Sequence, residues 1–273
     1  MPLPDDPRDA DRIGRLDLTR WSTGLGHRLV RWAESAARSV SAHGVLVITA
    51  AVGMVLVGAL SLLGAAVYDA VTEHDGISTL DRPVLREALG LRSPGLDRVL
   101  TGFTHLGGPT GMTIIAAAIT ALMVWRWRSR TPIVLMLIAV TGSLLLTVVG
   151  KNVVGRVRPP QSEAVPPFET SPSFPSGHAL NSTVIAGLVA YLLLRRLESE
   201  LARVVTVVLA AGWAVAIGLS RVFLGHHWLT DVMFGWVVGL AWLFCVITAH
   251  RLFLTVQRGR AHVGAEASAE GVT

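Results

Sequence analysis

Long apolar segments separated by short polar stretches dominate the pattern of this chain. Six of these segments approach or exceed the roughly 20 apolar residues that a helix needs to cross a bilayer core. They cover residues 45–67, 109–125, 132–150, 178–194, 203–219 and 228–249. Asp231 is the one carboxylate that falls inside them. The pattern therefore predicts an all-α, polytopic membrane protein with six transmembrane helices.

The flanking segments are polar. Residues 1–43 intersperse Arg with Asp and Glu, which predicts a mobile or surface-lying N-terminal tail in front of a six-span domain at 44–250. The predicted C-terminal tail covers 251–273, and the small polar residues from 257 onwards favour a disordered end.

The loop between the first two spans contains two apolar repeats at helical spacing, interrupted by Ser93-Pro94-Gly95. The repeats comprise Leu80, Val84, Ala88 and Leu91, followed by Leu96, Val99, Leu100 and Phe103. They predict two amphipathic helices in this first outer loop, lying on the membrane surface. Such helices would either guide an acyl or isoprenyl chain to a site or simply cover the helix bundle.

Composition supports a membrane protein and excludes several other classes. Charged residues make up 16% of the chain, against about 25% in soluble domains. The single cysteine, Cys245, excludes a disulfide framework and a Cys-rich zinc site. The net charge is +5, but the sequence has no basic stripe with interleaved aromatic residues, so no nucleic-acid partner is expected.

The distribution of basic residues predicts the orientation. If both termini lie on one side of the membrane, that side carries sixteen of the 24 Lys and Arg residues. The positive-inside rule then places both termini in the cytoplasm of a multi-pass plasma-membrane protein. The loops at 68–108, 151–177 and 220–228 would face the outside.

Two segments in these outer loops could bind an anion, one through basic residues at the end of a span and the other through a helix start. Lys151, the one lysine of the chain, is followed by Arg158, and Pro159 then turns that arginine into the loop. Interfacial snorkelling of both side chains is the alternative. Further along, Ser176 and Gly177 precede a predicted span, where backbone N–H groups can bind an anion. An ordinary Ser N-cap is the alternative there.

A third segment, Ser220–Asp231, links the last two predicted spans. His227 and Asp231 are four residues apart and share a helical face. The carboxylate can therefore accept a hydrogen bond from one imidazole nitrogen and leave the other free to attack. A structural His–Asp pair that caps the last span is the alternative.

Together the three segments bring one lysine, two arginines, two histidines, a carboxylate and a helix N-terminus to one membrane face. Fixed cations and backbone donors suit a tetrahedral, trianionic group. Two histidines, His178 and His227, allow one to attack phosphorus while the other protonates the leaving oxygen.

The patterns K-x6-RP (Lys151–Pro159), PSGH (175–178) and SR-x5-H-x3-D (Ser220–Asp231) resemble the type 2 phosphatidic acid phosphatase (PAP2) superfamily. The resemblance implies that His227 is a nucleophile that forms a phosphohistidine, oriented by Asp231, with His178 as general acid. The residues that it implies for holding the phosphoryl oxygens are Lys151, Arg158, Arg221, Ser176 and, through its amide, Gly177. It also implies a reaction without metal or other cofactor.

Several neighbouring residues are expected to stay outside the reaction. Arg156 lies off the motif and is expected to meet lipid headgroups or the loop. His226 is expected to point to another face of the helix. The histidines expected in solvent or at the interface are His74 and His105. The GxxxG pair formed by Gly235 and Gly239 indicates close helix packing.

The predicted function is hydrolysis of a lipid phosphate or diphosphate at the outer leaflet. The resemblance implies polyprenyl diphosphate, phosphatidic acid or phosphatidylglycerophosphate as the lipid substrate, and an outer-face site favours polyprenyl diphosphate. A phosphotransferase on the same scaffold and a non-enzymatic lipid transporter or scaffold are the alternatives. The PAP2 superfamily also includes soluble haloperoxidases, and that activity is disfavoured because this chain is predicted to span the membrane. The sequence does not indicate an oligomeric state.

Overall fold

Helices form most of the described part of the chain. The computed structural model describes residues 12–13, 16–39, 44, 51, 53–55, 58–59 and 76–270. Within them, a two-stranded antiparallel hairpin pairs β1 (Arg12–Ile13) with β2 (Leu16–Asp17). The helices are α1 (Gly24–Ser39), α2 (Asp81–Gly90), α3 (Pro94–Leu106), α4 (Pro109–Trp127), α5 (Thr131–Val154), α6 (Gly177–Leu194), α7 (Glu200–Phe223) and α8 (Leu229–Glu270). Short 3-10 turns cover Gly76–Leu80 and Gln161–Glu163.

Five of the predicted spans correspond to helices that are long and apolar enough to cross a membrane. These stretches are Pro109–Trp127, Thr131–Val154, Gly177–Leu194, Glu200–Phe223 and Leu229–Arg258. The first predicted span, 45–67, lies largely outside the described residues. Within it, Met54 is helical and packs against the main core. The chain is therefore a multi-pass membrane protein.

Local sequence explains where two of the spanning helices begin and end. Pro109 and Pro132 lie in the first turns of α4 and α5, where the missing N–H of proline has no intrahelical partner to lose. Gly155 ends α5 in the left-handed conformation, with φ of 62°. The chain then turns sharply into the loop that carries Arg156 and Arg158.

Helix α6 forms the centre of the bundle and packs against α5, α7 and α8. Leu180 and Val184 of α6 are fully buried, as is Trp242 of α8. The Trp242 indole donates a hydrogen bond to the Ala139 carbonyl at 3.0 Å. A Cβ on Gly142 would lie 2.1 Å from the Trp242 ring, so the absence of a side chain there lets the indole lie flat against α5.

The two glycines of the GxxxG pair bring α8 close to α6, as predicted. A Cβ on Gly235 would lie 2.9 Å from the Ser176 carbonyl oxygen, and one on Gly239 would lie 2.9 Å from that of Leu180. These contacts set the distance between the start of α8 and the start of α6, the two helix ends that carry His227 and His178.

The described parts of the two terminal segments are largely helical, whereas the sequence predicts tails there. Helix α1 packs against α8 through a buried cluster of Ala33, Leu252 and Val256. Helix α8 runs through the predicted boundary at 250 and continues to Glu270, although the sequence favours a disordered end from 257. The apolar positions that face α1 extend the helix beyond the span, and the Gln, Arg, Ala and Glu that follow are good helix formers.

Helices α2 and α3 lie between the first predicted span and α4. Ser93 caps α3, since its Oγ accepts a hydrogen bond from the Leu96 N–H at 3.3 Å. Helix α2 packs against α7 and α8, and its Val84 packs against a buried cluster of Ala179, Val222 and Val232. Helix α3 packs against α4 and α7. The two helices thus cover the end of the bundle at which α7 stops and α8 begins.

Candidate active site

Several helix ends meet at one end of the bundle, together with the loop between α5 and α6. The residues that they bring there are Lys151 in the last turn of α5, His178 in the first turn of α6, Arg221 in the last turn of α7, and His227 and Asp231 around the start of α8. A turn at Gly225, with φ of 71°, separates α7 from α8. A Cβ there would lie 2.4 Å from the Glu163 carbonyl oxygen, so glycine is required.

His227 and Asp231 form a buried pair, with 1% and 0% of their side-chain surface exposed. Nδ1 of His227 lies 3.6 Å from Oδ2 of Asp231. The Ser173 hydroxyl donates to that Oδ2 at 2.5 Å and lies 3.4 Å from Nδ1. The Trp228 N–H also donates to Oδ2, at 3.0 Å. The carboxylate thus lies on the Nδ1 side of the imidazole and leaves Nε2 facing away from it.

Nε2 of His227 faces the positive charges of the site and lies 3.3 Å from Nη1 of Arg158. Burial lowers the pKa of His227 well below its usual value, and the charges of Arg158, Arg221 and Lys151 lower it further. The imidazole is therefore neutral near pH 7. A neutral ring that carries its proton on Nδ1 presents the lone pair of Nε2 as a nucleophile.

Three cations are fixed around this nitrogen by contacts with the neighbouring loops. Nζ of Lys151 donates to Oγ of Ser171 at 3.2 Å. Arg158 donates through Nε to the Ser171 carbonyl at 2.6 Å and through Nη1 to the His226 carbonyl at 2.5 Å. Arg221 is 2% exposed. Loop oxygens hold Lys151 and Arg158 in place, and Arg221 pairs with the Glu169 carboxylate, so the three charges are preorganised for an anion.

Glu169 lies between two of these cations. Its Oε2 accepts a hydrogen bond from Arg158 at 2.7 Å, and its Oε1 accepts one from Arg221. Burial raises the pKa of the Glu169 carboxyl, but the charges of Arg221 and Arg158 outweigh that effect and lower the pKa to about 2. A carboxylate is thus held where two guanidinium groups converge, the arrangement that also binds phosphoryl oxygens.

The start of α6 adds backbone donors to the site. Gly177 and His178 are its first residues, and N–H groups at this position have no acceptor within their own helix. The Ser176 N–H donates to the Asp231 carbonyl at 3.1 Å, so this amide joins α6 to α8. The buried Ser176 hydroxyl has no hydrogen-bond partner among the described residues.

An apolar cavity of about 900 Å³ runs from these groups between α4, α5 and α6. Its polar end is lined by Lys151, Glu169, His178 and His227. Its apolar length is lined by Met112, Ala116, Met136, Leu137, Leu144 and Ile185. Leu137 and Leu144 are exposed on the side of the bundle, so the cavity opens towards the region that lipid occupies.

A second cavity, of about 520 Å³, lies beside α3. It is lined by Thr104, His105 and Arg221, and it shares Glu169 and His178 with the first cavity. Glu169 and His178 therefore lie between the two spaces.

Comparison with known proteins identifies the family. The family model of the PAP2 superfamily matches residues 132–254. Phosphatidylglycerophosphatase B of Bacillus subtilis (strain 168) is 34% identical over 186 residues, which cover 68% of this chain and 88% of that protein. The chain belongs to the PAP2 superfamily.

Two further relatives agree with this membership. The crystal structure of a transmembrane PAP2 type phosphatidylglycerolphosphate phosphatase from Bacillus subtilis matches with a TM-score of 0.61 at 32% identity, covering 71% of this chain and 93% of that one. An undecaprenyl-diphosphatase of Sulfolobus acidocaldarius is 30% identical over 137 residues, which cover 49% of this chain and 62% of that protein.

The structure brings the residues of the three PAP2 motifs to one place. Lys151, Arg158 and Arg221 lie around His227, and Asp231 lies behind it. His178 and Gly177 line the same cavity as His227. Three histidines were expected to stay outside the reaction. His226 forms a hydrogen bond through Nε2 with the Val165 carbonyl at 2.7 Å, His105 is exposed, and His74 lies outside the described residues.

The prediction for Arg156 is wrong, because this side chain is turned away from lipid. It is 10% exposed and forms ion pairs with Asp231 at 2.6 Å and with Asp81 at 2.8 Å. The left-handed turn at Gly155 reverses the chain, so that Arg156 lies behind Asp231 while Arg158 lies in front of His227.

Sequence reasoning did not single out Glu169 and Asp81. Glu169 has no fixed spacing to a helix, and its two arginine partners come from different parts of the chain. Asp81 is the first residue of α2, where its favourable interaction with the helix dipole already explains an acidic residue. One signal in the sequence could have found them. Many basic residues are predicted on the outer face, and the carboxylates near them are expected to form ion pairs.

Proposed function

We propose that this chain hydrolyses a lipid phosphate or diphosphate at the outer membrane face through a phosphohistidine on His227. The chain is a membrane lipid phosphatase of the PAP2 type, in keeping with its family and its phosphatase relatives. The observation that carries the mechanism is the buried His227–Asp231 pair, which lies beside three fixed cations at the polar end of an apolar cavity.

In the first step, Nε2 of His227 attacks phosphorus and the bond from phosphorus to the leaving oxygen breaks. His178 gives a proton to that oxygen, so that an alcohol or a lipid monophosphate departs. The imidazole becomes positive, and the carboxylate of Asp231 stabilises it through Nδ1–H. The three cations and the first amides of α6 stabilise the charge that spreads over the equatorial oxygens.

In the second step, water attacks the phosphorus of the phosphohistidine. His178, now without its proton, accepts one from the attacking water. The bond between phosphorus and Nε2 breaks, inorganic phosphate forms, and His227 returns to its neutral state. The same cations stabilise both transition states, because both place negative charge on the same oxygens.

Glu169 has to release the two arginines when substrate binds. A phosphoryl group with two negative charges and three oxygens competes well with a single carboxylate for two guanidinium groups. The carboxylate would move towards the second cavity, which Glu169 also lines. Phosphate binding would therefore be an exchange in which the phosphoryl group replaces the Glu169 carboxylate at the two arginines.

The apolar cavity supports a lipid as the carrier of the phosphate. Its volume of about 900 Å³ lies at the upper end of small-molecule sites, which span about 300–1,000 Å³. One relative is named for phosphatidylglycerophosphate and another for undecaprenyl diphosphate. We favour polyprenyl diphosphate, because the arginine distribution predicts a site on the outer face, where that carrier is released.

A panel of lipid substrates in detergent micelles tests this assignment. The purified protein is given polyprenyl diphosphate, phosphatidic acid and phosphatidylglycerophosphate in the presence of a chelator, and released phosphate is measured. We expect release from all three and the highest kcat/KM for polyprenyl diphosphate. Release from phosphatidic acid with none from polyprenyl diphosphate would reverse the substrate preference.

Substitution of the nucleophile tests the mechanism. His227→Ala should lower phosphate release by about 10³-fold or more, because the covalent route is lost. Substrate labelled in its terminal phosphate should leave an acid-labile, alkali-stable label on the wild-type protein and none on His227→Ala. His27→Ala is the matched control, since His27 is exposed on α1, lines neither of the two described cavities, and should leave both measurements unchanged. Normal turnover by His227→Ala would eliminate the proposed nucleophile.

A further inference from the structure

Behind the nucleophile lies a buried ion network that the mechanism above does not use. Arg156 donates through Nη1 to Oδ1 of Asp231 at 2.6 Å and to Oγ1 of Thr230 at 2.7 Å. Through Nη2 it donates to Oδ2 of Asp81 at 2.8 Å. Its guanidinium also stacks over the Trp228 ring, 5.5 Å from the centroid. One arginine thus joins two buried carboxylates from α2 and α8.

Asp81 is committed entirely to this network. It is 4% exposed, and its Oδ1 accepts from the Thr230 N–H at 2.9 Å. Its Oδ2 accepts from the Thr230 hydroxyl at 2.7 Å as well as from Arg156. A buried carboxylate needs such partners to offset its desolvation. These bonds tie the first residue of α2 to the first turn of α8.

The two oxygens of Asp231 have different partners. Oδ1 is held by Arg156, whereas Oδ2 faces Ser173 and Nδ1 of His227. Rotation of the carboxylate about its terminal bond would break the ion pair at Oδ1. The guanidinium therefore fixes the orientation of the carboxylate plane, so that one oxygen faces the imidazole, and it keeps a positive charge beside a buried carboxylate whose ionised form the reaction needs.

We infer that Arg156 and Asp81 are positioning residues that hold Asp231 in the orientation required by the nucleophile His227. This inference rests on the proposed function of His227. Both terminal nitrogens of Arg156 already donate to Asp231, Thr230 and Asp81, on the far side of Asp231 from Nε2. Arg156 therefore acts through Asp231, and the phosphoryl group is left to Arg158 and the other cations.

The position of Arg156 predicts a specific kinetic signature. Arg156→Gln should lower kcat by about 10- to 100-fold, comparable to the loss of the outer partners that orient ligands in metal sites. The KM for lipid and the inhibition by inorganic phosphate should stay within about twofold, because the phosphate-binding cations are untouched. Arg156→Lys should lower kcat less, since a single ammonium can still pair with Asp231. Asp81→Asn should have an intermediate effect.

Arg82→Gln is the matched control. Arg82 stacks on the same indole, with its guanidinium 5.0 Å from the Trp228 centroid, and pairs with Glu163 at 3.2 Å. It is half exposed and has no bond to Asp231 among those described. Loss of Arg82 should leave kcat unchanged, whereas loss of Arg156 should not.

A double-mutant cycle separates positioning from a general effect on folding. In an Asp231→Asn background, Arg156→Gln should cost less than twofold in kcat, because the carboxylate through which it acts is gone. If the two losses multiply instead, or if Arg156→Gln raises KM with kcat unchanged, the inference is overturned. If Arg156→Gln does not fold, Arg156→Lys and Asp81→Asn replace it in the assay. Both variants should then show a lowered kcat with unchanged phosphate inhibition, and a normal kcat in both would overturn the inference.

The same assay distinguishes this inference from the proposed function. An inactive His227→Ala with a fully active Arg156→Gln would remove the positioning role alone. An active His227→Ala would remove the proposed function itself, whatever Arg156→Gln shows.

Discussion

In the proposed mechanism, Glu169 and the phosphoryl group of the substrate compete for the same two arginines. The carboxylate accepts hydrogen bonds from Arg158 and Arg221 at once, which is the contact that a bound phosphate also needs. Its presence keeps two buried cations paired when no substrate is bound, and pairing lowers the cost of burying them. The same pairing weakens substrate binding, because the bonds to Glu169 have to be broken first.

Glu169→Gln should therefore tighten the binding of phosphate. An amide of the same shape can still accept a hydrogen bond but carries no charge, so inorganic phosphate should inhibit about tenfold more strongly, equivalent to about 1.4 kcal/mol. Because the pKa of Glu169 is about 2, the wild-type carboxyl is ionised between about pH 5 and pH 8, so the tighter inhibition of Glu169→Gln should be present throughout that range. Inhibition constants measured at several pH values check this.

Glu163→Gln is the control for this prediction. Glu163 lies in the same loop but pairs with the half-exposed Arg82, away from Arg158 and Arg221. Its inhibition constant should match that of the wild type. Weaker phosphate binding by Glu169→Gln would mean that the carboxylate orients the arginines for substrate instead of competing with it.

At the scale of single residues, sequence reasoning identified groups with a local pattern and missed those defined only by tertiary contacts. His227 and Asp231 share a helical face, so spacing predicted that pair, and the resemblance to the PAP2 superfamily implied that Lys151 and Arg158 join it at one site. Glu169 meets Arg221 across 52 positions of the chain. No local periodicity encodes such a contact, and the same holds for the pair of Asp81 and Arg156.

At the scale of helices, the close approach of α5, α6 and α8 depends on glycines at the points of contact. Gly142 should be the most sensitive of these, because a Cβ there would meet the Trp242 ring at 2.1 Å, and Trp242 is fully buried. Gly142→Ala should destabilise the protein by about 1–3 kcal/mol, as expected for overpacking a core. Thermal unfolding in detergent should show a lower Tm than that of the wild type.

Gly212→Ala provides the opposite expectation. Gly212 lies within α7, and nothing lies within 4 Å of the Cβ it would gain. Alanine favours a helix over glycine by up to about 1 kcal/mol, so this variant should have an equal or higher Tm. Equal destabilisation by both substitutions would show that the contact with Trp242 is not the cause.

The helices themselves were largely predictable because apolar length is a strong signal. The starts of α4 and α5 follow from Pro109 and Pro132, and the end of α5 follows from Gly155. What the sequence did not show is how far α8 extends. Its apolar pattern weakens after the span, and the partner that supports the extension, α1, lies more than 200 positions earlier in the chain.

At the scale of the whole molecule, the orientation in the membrane remains a prediction from charge. Cysteine labelling tests it in a Cys245→Ala background, which removes the single native thiol. Ser162→Cys lies in the exposed loop beside the site, and Glu198→Cys lies in the exposed turn between α6 and α7. In intact cells, a membrane-impermeant maleimide should label Ser162→Cys and leave Glu198→Cys unlabelled until the cells are permeabilised.

The reverse labelling pattern would place the active site on the cytoplasmic face. It would remove the reason for favouring polyprenyl diphosphate, while the chemistry proposed for His227 would be unaffected. Orientation and catalytic mechanism can therefore be tested separately.

The opening of the larger cavity on the side of the bundle, near Leu137 and Leu144, affects how the reaction rate should be described. In the proposed function, the lipid substrate moves from the surrounding leaflet to His227 without crossing into water. Turnover should then follow the mole fraction of substrate within the membrane plane and not its amount per litre of buffer. Diluting the substrate with inert lipid should slow the enzyme at constant total substrate, whereas adding buffer to the same vesicles should leave the rate per enzyme unchanged.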